Sequence, residues 1–161
     1  LDAACVAGLI TTVETYCDAQ QAKTGRAVHA IRNLAESLPE LASIACQPEI
    51  RGLFEPILGP DAFVVRAIYF DKLPGANWKV PWHQDQTIAV RQRIDTPGFG
   101  PWSVKEGVPH VEPPTSILEK MLTVRIHLDN CTYYNGSLLP LSGTLHLGRL
   151  SLDDVLCLLP K

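Results

Sequence analysis

The first third of the chain has the hydrophobic spacing of amphipathic helices. Apolar residues recur at intervals of three and four, which places them on one stripe of a helix. The residues of this stripe are Val6, Leu9, Ile10, Val13, Tyr16 and Cys17. Asp2 stands where a helix N-cap is expected, and a polar stretch that ends at Gly25 breaks the pattern. Shorter helical patterns follow, the last from Pro48 to Leu58 and stopped by Gly59-Pro60, and residues 151–154 resemble a capped helix start. The pattern predicts a helical part over residues 1–59.

Beyond this helical part the pattern changes to that of strands and turns. Residues 63–70 are aromatic and β-branched, and residues 78–87 and 122–129 alternate between two faces. Asn135-Gly136 predicts a hairpin turn. The Pro- and Gly-rich stretch 95–114 predicts a long ordered loop without regular structure. Helices followed by antiparallel strands indicate the α+β class.

Composition and charge narrow the class of protein. The 161 residues are 46% hydrophobic and 19% charged, with a formal net charge of −3. A disordered chain would be less hydrophobic, and a protein that binds nucleic acid through its backbone would carry a basic surplus. The sequence contains no apolar run of bilayer length and does not start like a signal peptide. We therefore expect one cytoplasmic domain over residues 1–161 that binds neither nucleic acid nor a membrane.

Two His-X-Asp triplets, His83-Gln84-Asp85 and His127-Leu128-Asp129, are candidate metal-binding segments. Residues two apart on a strand face the same side, so an imidazole and a carboxylate can hold one Fe(II), Mn(II) or Zn(II) ion. An ordinary hydrogen bond between histidine and carboxylate would explain either triplet equally well. The first triplet is favoured because its polar surroundings, between Trp82 and the Pro/Gly-rich stretch, suit the mouth of a pocket. The second runs into a turn, where aspartate commonly bonds local backbone.

Several segments in combination resemble the phytanoyl-CoA dioxygenase family. They are residues 66–72, 77–85, 97–102 and 125–129 ahead of Asn135-Gly136. The resemblance covers about residues 60–151, and the helical first part is compatible with it. It implies N-terminal helices packed on a double-stranded β-helix, or jelly roll. It also implies an oxidoreductase that uses Fe(II), 2-oxoglutarate and dioxygen to hydroxylate a small-molecule or acyl substrate.

The resemblance also implies roles for individual residues. His83 and Asp85 correspond to the first two iron ligands of the family's facial triad. Gln84 belongs to the same motif and is predicted to help hold 2-oxoglutarate. Arg125 stands where the family has a side chain facing the pocket, although relatives often have an aromatic residue there. Arg32 is predicted either to approach 2-oxoglutarate from the helical part or to be a surface arginine.

The last catalytic parts of the family have no clear counterpart. The family has a distal histidine ligand and, further along, an arginine that pairs with 2-oxoglutarate, whereas here His146 is followed by Arg149 at only three positions. We therefore expect residues 60–161 to be the N-terminal portion of a jelly roll, in a fragment that is inactive alone and whose open sheet edge favours association of copies. Two alternatives stay open: a non-catalytic jelly-roll binding module or decayed enzyme remnant, and a Zn- or Mn-dependent cupin-like protein.

Overall fold

The computed structural model describes residues 1–72, 80–132, 134 and 137–159. The chain forms two compact units. The first comprises Leu1–Asn77 and Leu122–Gly136, and the second comprises Trp78–Met121 and Ser137–Lys161. Helices occur together with small antiparallel sheets, which confirms the α+β class. The single domain predicted for residues 1–161 stays a prediction.

The first unit is mainly helical. Helix α1 spans Ala3–Thr24, and the Asp2 side chain caps it by accepting a hydrogen bond from the Cys5 N–H at 2.7 Å. Gly25 ends the helix in the left-handed conformation, with φ 69°, which glycine adopts without steric cost. Further helical elements of this unit are α2 (Leu34–Ser37), α3 (Pro39–Ala42), a 3₁₀ turn (Ser43–Cys46) and α4 (Pro48–Leu58). The predicted cap at Asp2 and the helix from Pro48 to Leu58 are confirmed.

The core of the first unit lies where α1 meets a short two-stranded sheet. Strands β1 (Ala30–Ile31) and β2 (Tyr69–Phe70) pair antiparallel. Val13, Ile31 and Leu38 form the buried cluster. Partly buried side chains surround it, namely Tyr16, Cys17, Val28, Leu34, Leu41 and Tyr69. The cluster is small, so each of its side chains contributes a large share of the apolar surface that this unit buries.

The second unit contains a three-stranded antiparallel sheet. Its strands are β3 (Ile88–Ala89), β4 (Trp102–Lys105) and β5 (Val108–Val111), in the order β3-β5-β4. Glu106 and Gly107 join β4 to β5 with φ values of 51° and 82°, as a two-residue hairpin turn requires. A short helix α5 (Thr115–Leu118), a 3₁₀ turn (Thr144–Leu147) and helix α6 (Leu152–Leu158) follow.

Helix α6 begins with a capping box, as the sequence predicted. The Ser151 hydroxyl accepts from the Asp154 N–H at 3.2 Å, and the Asp154 carboxylate accepts from the Ser151 N–H at 3.0 Å. The hydrogen bonds from the Ser151 side chain and backbone lower the pKa of Asp154 from its ordinary value. These hydrogen bonds fix the backbone at Ser151, the residue that precedes α6.

The Pro/Gly-rich stretch was predicted to lack regular structure, and this prediction is wrong. Strands β4 and β5 lie within it. Pro109 is tolerated in the central strand because it stands opposite Val90, beyond the last residue of β3. Its carbonyl accepts from the Val90 N–H at 3.0 Å, and only the return bond, which proline cannot donate, is missing.

The predicted strands elsewhere are mostly absent. Of residues 63–70 only Tyr69–Phe70 is a strand, and residues 80–87 and 122–129 contain none. Alternation predicts which side chains face inward, and this holds for residues 124–128: Val124, Ile126 and Leu128 are partly buried, while Arg125 and His127 are exposed. It fails at Leu122, Val80 and Trp82, which are exposed. A strand also requires a partner that exchanges backbone hydrogen bonds, and alternation carries no information about one. Residues 78, 79, 135 and 136 of these predictions lie outside the described residues.

None of the helices in the described ranges combines the length and the hydrophobicity that a bilayer crossing requires.

Removing two methyl groups from Val13 should measurably destabilise the first unit. Val13 is 3% exposed, so Val13→Ala should lower the free energy of unfolding by about 2 kcal/mol through lost burial and a residual cavity. Urea denaturation measures the difference. The same substitution at Val64, which is 47% exposed, is the matched control and should cost less than about 0.5 kcal/mol. Equal losses at the two positions would contradict the assignment of the core.

Tyr69 should make stability fall at high pH. Burial, followed by the negative charges of Asp71, Cys17, Glu14 and Asp129, raises the pKa of Tyr69 from 10.0 to about 12. The folded state therefore keeps the phenol proton that the unfolded chain releases near 10.0, and this contribution to stability is lost as the pH rises through about 12.

Tyr69→Phe should remove this part of the pH dependence. Urea unfolding between pH 9 and 12 would measure it, and the window follows from the pKa of 10.0 in the unfolded chain and about 12 in the folded one. Tyr134→Phe, at a phenol that is 91% exposed, is the control. Parallel curves for wild type and Tyr69→Phe would show that Tyr69 does not titrate differently on folding.

Candidate metal centre

The structure brings the side chains of His83 and Asp85 together. Nε2 of His83 lies 3.7 Å from Oδ1 of Asp85. Both residues belong to the segment 80–87 that leads into β3, and both are exposed, whereas Gln84 between them is partly buried. The imidazole is half exposed and the carboxylate is 91% exposed. An ion from solvent can therefore reach both groups.

A second contact determines which ring nitrogen of His83 is available. Nδ1 lies 2.8 Å from the Pro81 carbonyl oxygen. A carbonyl can only accept, so Nδ1 of the neutral ring carries the hydrogen and donates it. Nε2 then has the free lone pair and faces Asp85. Histidine ligands in metalloproteins commonly have this arrangement, with the second nitrogen bonded to a carbonyl or carboxylate.

The pair fits two adjacent positions around a divalent ion. Neighbouring donors of an octahedral ion with bonds of about 2.1 Å stand about 3 Å apart, and a small side-chain rotation closes the 3.7 Å distance to this value. Imidazole and carboxylate are donors that suit iron and manganese. Within the described parts of the chain, no group of three or more His, Cys, Asp or Glu side chains is placed to hold a metal ion. The described residues thus supply two donors.

The amide of Gln84, between the two candidate ligands, binds backbone instead of facing outward with them. Its Nε2 donates to the Gly148 carbonyl at 2.8 Å, and its Oε1 accepts from the Leu150 N–H at 2.8 Å. Both polar atoms of the side chain are therefore engaged with residues 148–150. The role of Gln84 in holding 2-oxoglutarate stays a prediction.

The two arginines proposed for 2-oxoglutarate lie in the first unit, whereas His83, Gln84 and Asp85 lie in the second. Arg125 lines an open cleft of about 260 Å³ with His127 and several apolar side chains, among them Val6, Ile50 and Leu53. Arg32 is partly buried just after β1. Their roles toward 2-oxoglutarate stay predictions.

The second His-X-Asp triplet is arranged differently. His127 lines the cleft of the first unit, and Asp129 is near enough to Tyr69 to raise the pKa of its phenol. Across the described residues, His127 and Asp129 form no ion pair with each other comparable to that of His83 and Asp85. The geometry thus favours the first triplet as a place where one ion is shared.

Several contacts of the second unit were not foreseen from sequence. Arg149 pairs with Glu112, the residue that follows β5. Arg149 is the arginine that comes three residues after His146, and this ion pair already engages its guanidinium. Lys105 donates to the Thr87 hydroxyl at 3.2 Å, and the Arg93 guanidinium lies 5.3 Å from the centre of the Trp102 ring. The Lys105–Thr87 and Arg149–Glu112 partners are 18 and 37 residues apart, and such distant pairs leave no local signal in a single sequence.

Comparison with known proteins defines the class of this chain. The sequence model of the family described as Phytanoyl-CoA dioxygenase (PhyH) matches residues 6–150 of the 161 residues. The chain therefore belongs to the phytanoyl-CoA dioxygenase family, which is cupin-like and is part of the Fe(II)- and 2-oxoglutarate-dependent oxygenase superfamily. Neither the curated proteins nor the solved structures yielded a match.

The tautomer of His83 can be measured. Because the Pro81 carbonyl accepts from Nδ1, neutral His83 should be mainly the Nδ1–H form, whereas an unconstrained imidazole prefers the Nε2–H form. Nitrogen-15 chemical shifts of the metal-free protein, recorded at a pH where imidazole is neutral, distinguish the two. Exposed His127 is the internal control and should show the unconstrained preference. A predominant Nε2–H form at His83 would contradict the proposed direction of its lone pair.

Proposed function

We propose that the protein is a Fe(II)- and 2-oxoglutarate-dependent oxygenase that hydroxylates a small-molecule or acyl substrate, with His83 and Asp85 as iron ligands. Membership of the phytanoyl-CoA dioxygenase family over residues 6–150 supports the reaction class. The observation that carries the site is the 3.7 Å approach of Nε2 of His83 to the exposed carboxylate of Asp85. The proposed scaffold is a jelly roll that includes the sheet β3-β5-β4.

The chemistry of such a site is divided between the ion and the protein. Bound iron would couple the oxidation of 2-oxoglutarate by dioxygen to hydroxylation of the substrate. The chain provides orientation and charge. The Nδ1 hydrogen bond to Pro81 fixes the rotation of the His83 ring, and the Asp85 carboxylate neutralises part of the charge of the cation. A small set of protein donors leaves positions open for small ligands.

The residues that would hold 2-oxoglutarate are part of the same proposal. An arginine suits a carboxylate because its planar guanidinium donates two parallel hydrogen bonds. Arg125 is the first candidate because it lies exposed at a cleft, and Arg32 is the second.

The number of side chains that could bind the metal leads to a second part of the proposal, which concerns metal affinity and activity. In the portion of the chain that the structure describes, two donors come together rather than the three of a facial triad. The 161 residues alone should therefore bind Fe(II) weakly and convert no substrate. The same donor count favours the competing function of a non-catalytic binding module, which would not depend on His83 or Asp85.

Metal binding should depend on the first triplet and not on the second. Anaerobic addition of Fe(II) and 2-oxoglutarate at high concentration should produce a charge-transfer absorption band in the visible range. His83→Ala and Asp85→Ala each remove one of two donors, and should weaken binding of Fe(II), or of Mn(II) followed by electron paramagnetic resonance, by more than about tenfold.

The matched controls are His127→Ala and Asp129→Ala, which make the same changes in the other His-X-Asp triplet and should leave metal binding unchanged. Equal metal affinity in wild type and all four variants would rule out the proposed site. Ligand or partner binding that survives His83→Ala and Asp85→Ala would then favour the binding module.

A further inference from the structure

Residues 80–87 lie outside the sheet that follows them. They lead into β3 but are not themselves part of a strand, so no ladder of backbone hydrogen bonds fixes the direction of their side chains. His83 and Asp85 nevertheless have to stay on one side and within reach of a common ion. Something other than the sheet must hold this segment.

Gln84 supplies such a contact. Its amide donates to Gly148 and accepts from Leu150, both at 2.8 Å, in the way that a peptide group of a neighbouring strand would. Two bonds from one planar amide fix both its position and its rotation. Because the Gln84 backbone joins the two candidate ligands, fixing Gln84 limits how far the imidazole and the carboxylate can turn relative to each other.

The opposite side of this contact is itself anchored. Gly148 has φ 64° and ψ −149°, a conformation that residues with a side chain rarely adopt. Arg149 pairs with Glu112, and the capping box of α6 begins at Ser151. Residues 148–150 thus present their carbonyl and N–H from a backbone that neighbouring contacts hold in place.

We propose that Gln84 is a positioning residue of the candidate metal centre: by binding Gly148 and Leu150 it keeps His83 and Asp85 in the arrangement that can share one ion. This inference rests on the proposed function, since it concerns the same two ligands. It assigns the Gln84 amide to the protein backbone, where its two polar atoms are already engaged. It also links metal binding to the backbone of residues 148–150.

The test compares the Mn(II) affinity of Gln84→Met with that of wild type. Methionine keeps the length of the side chain, adds no charge and removes both hydrogen bonds. We expect Mn(II) binding to weaken by about 10- to 100-fold, as is usual when a group that orients metal ligands is lost. Gln86→Met makes the same change two residues further on and should leave the affinity unchanged. Equal Mn(II) affinity in wild type and Gln84→Met would overturn the inference and leave the proposed metal site intact.

A second measurement separates positioning from general stabilisation. Glu112→Ala removes the partner of Arg149 and loosens the same backbone, but it keeps the Gln84 amide and both of its backbone partners, so it should weaken Mn(II) binding much less than Gln84→Met does. Mn(II) should slow hydrogen exchange at the Leu150 amide in wild type and in Glu112→Ala, but not in Gln84→Met. A loss of Mn(II) affinity in Glu112→Ala as large as in Gln84→Met would overturn the specific role of Gln84. Absence of Mn(II) binding to wild type would instead overturn the proposed function, and this inference with it.

Discussion

The direction of the side chains of residues 83–85 is the constraint on which the candidate centre depends. His83 and Asp85 are exposed, and Gln84 is partly buried between them. The outward pair can therefore meet at 3.7 Å while the inward amide binds backbone. The two exposed side chains, His83 and Asp85, are thus the ones that can bind an ion, whereas the Gln84 side chain between them anchors residues 83–85.

Local signals account for the part of the structure that sequence predicted well. Asp2, Gly25 and the capping box at Ser151 act over three or four residues, and a single sequence contains all of that information. The helix over Pro48–Leu58 ends at Gly59 for the same reason. The alternation of residues 124–128 likewise indicated which side chains face inward, although these residues are not in a strand.

Pairing accounts for the part that sequence reasoning missed. Whether a segment becomes a strand depends on a partner elsewhere in the chain, and residues 80–87 and 122–129 show that alternation does not supply one. The reverse error occurred at 95–114, where prolines and glycines concealed a hairpin. There Gly107 shapes the turn, and Pro109 stands where only one missing hydrogen bond has to be tolerated. The composition of a segment does not reveal which of its N–H groups the sheet requires.

The same distinction applies to the candidate centre. The two outward donors could be named from sequence because their relation is local, two residues along one segment. The contact of Gln84 with residues 148–150 joins positions 64 and 66 residues apart, and no pattern in the sequence indicates it. Ligand identity is thus a local property, whereas ligand orientation depends on tertiary contacts that must exist before an ion arrives. In the second triplet the middle residue is Leu128, whose side chain has no polar atom that could bind backbone in this way. The difference between the two triplets therefore lies in what holds the middle residue, more than in the two residues that would touch a metal.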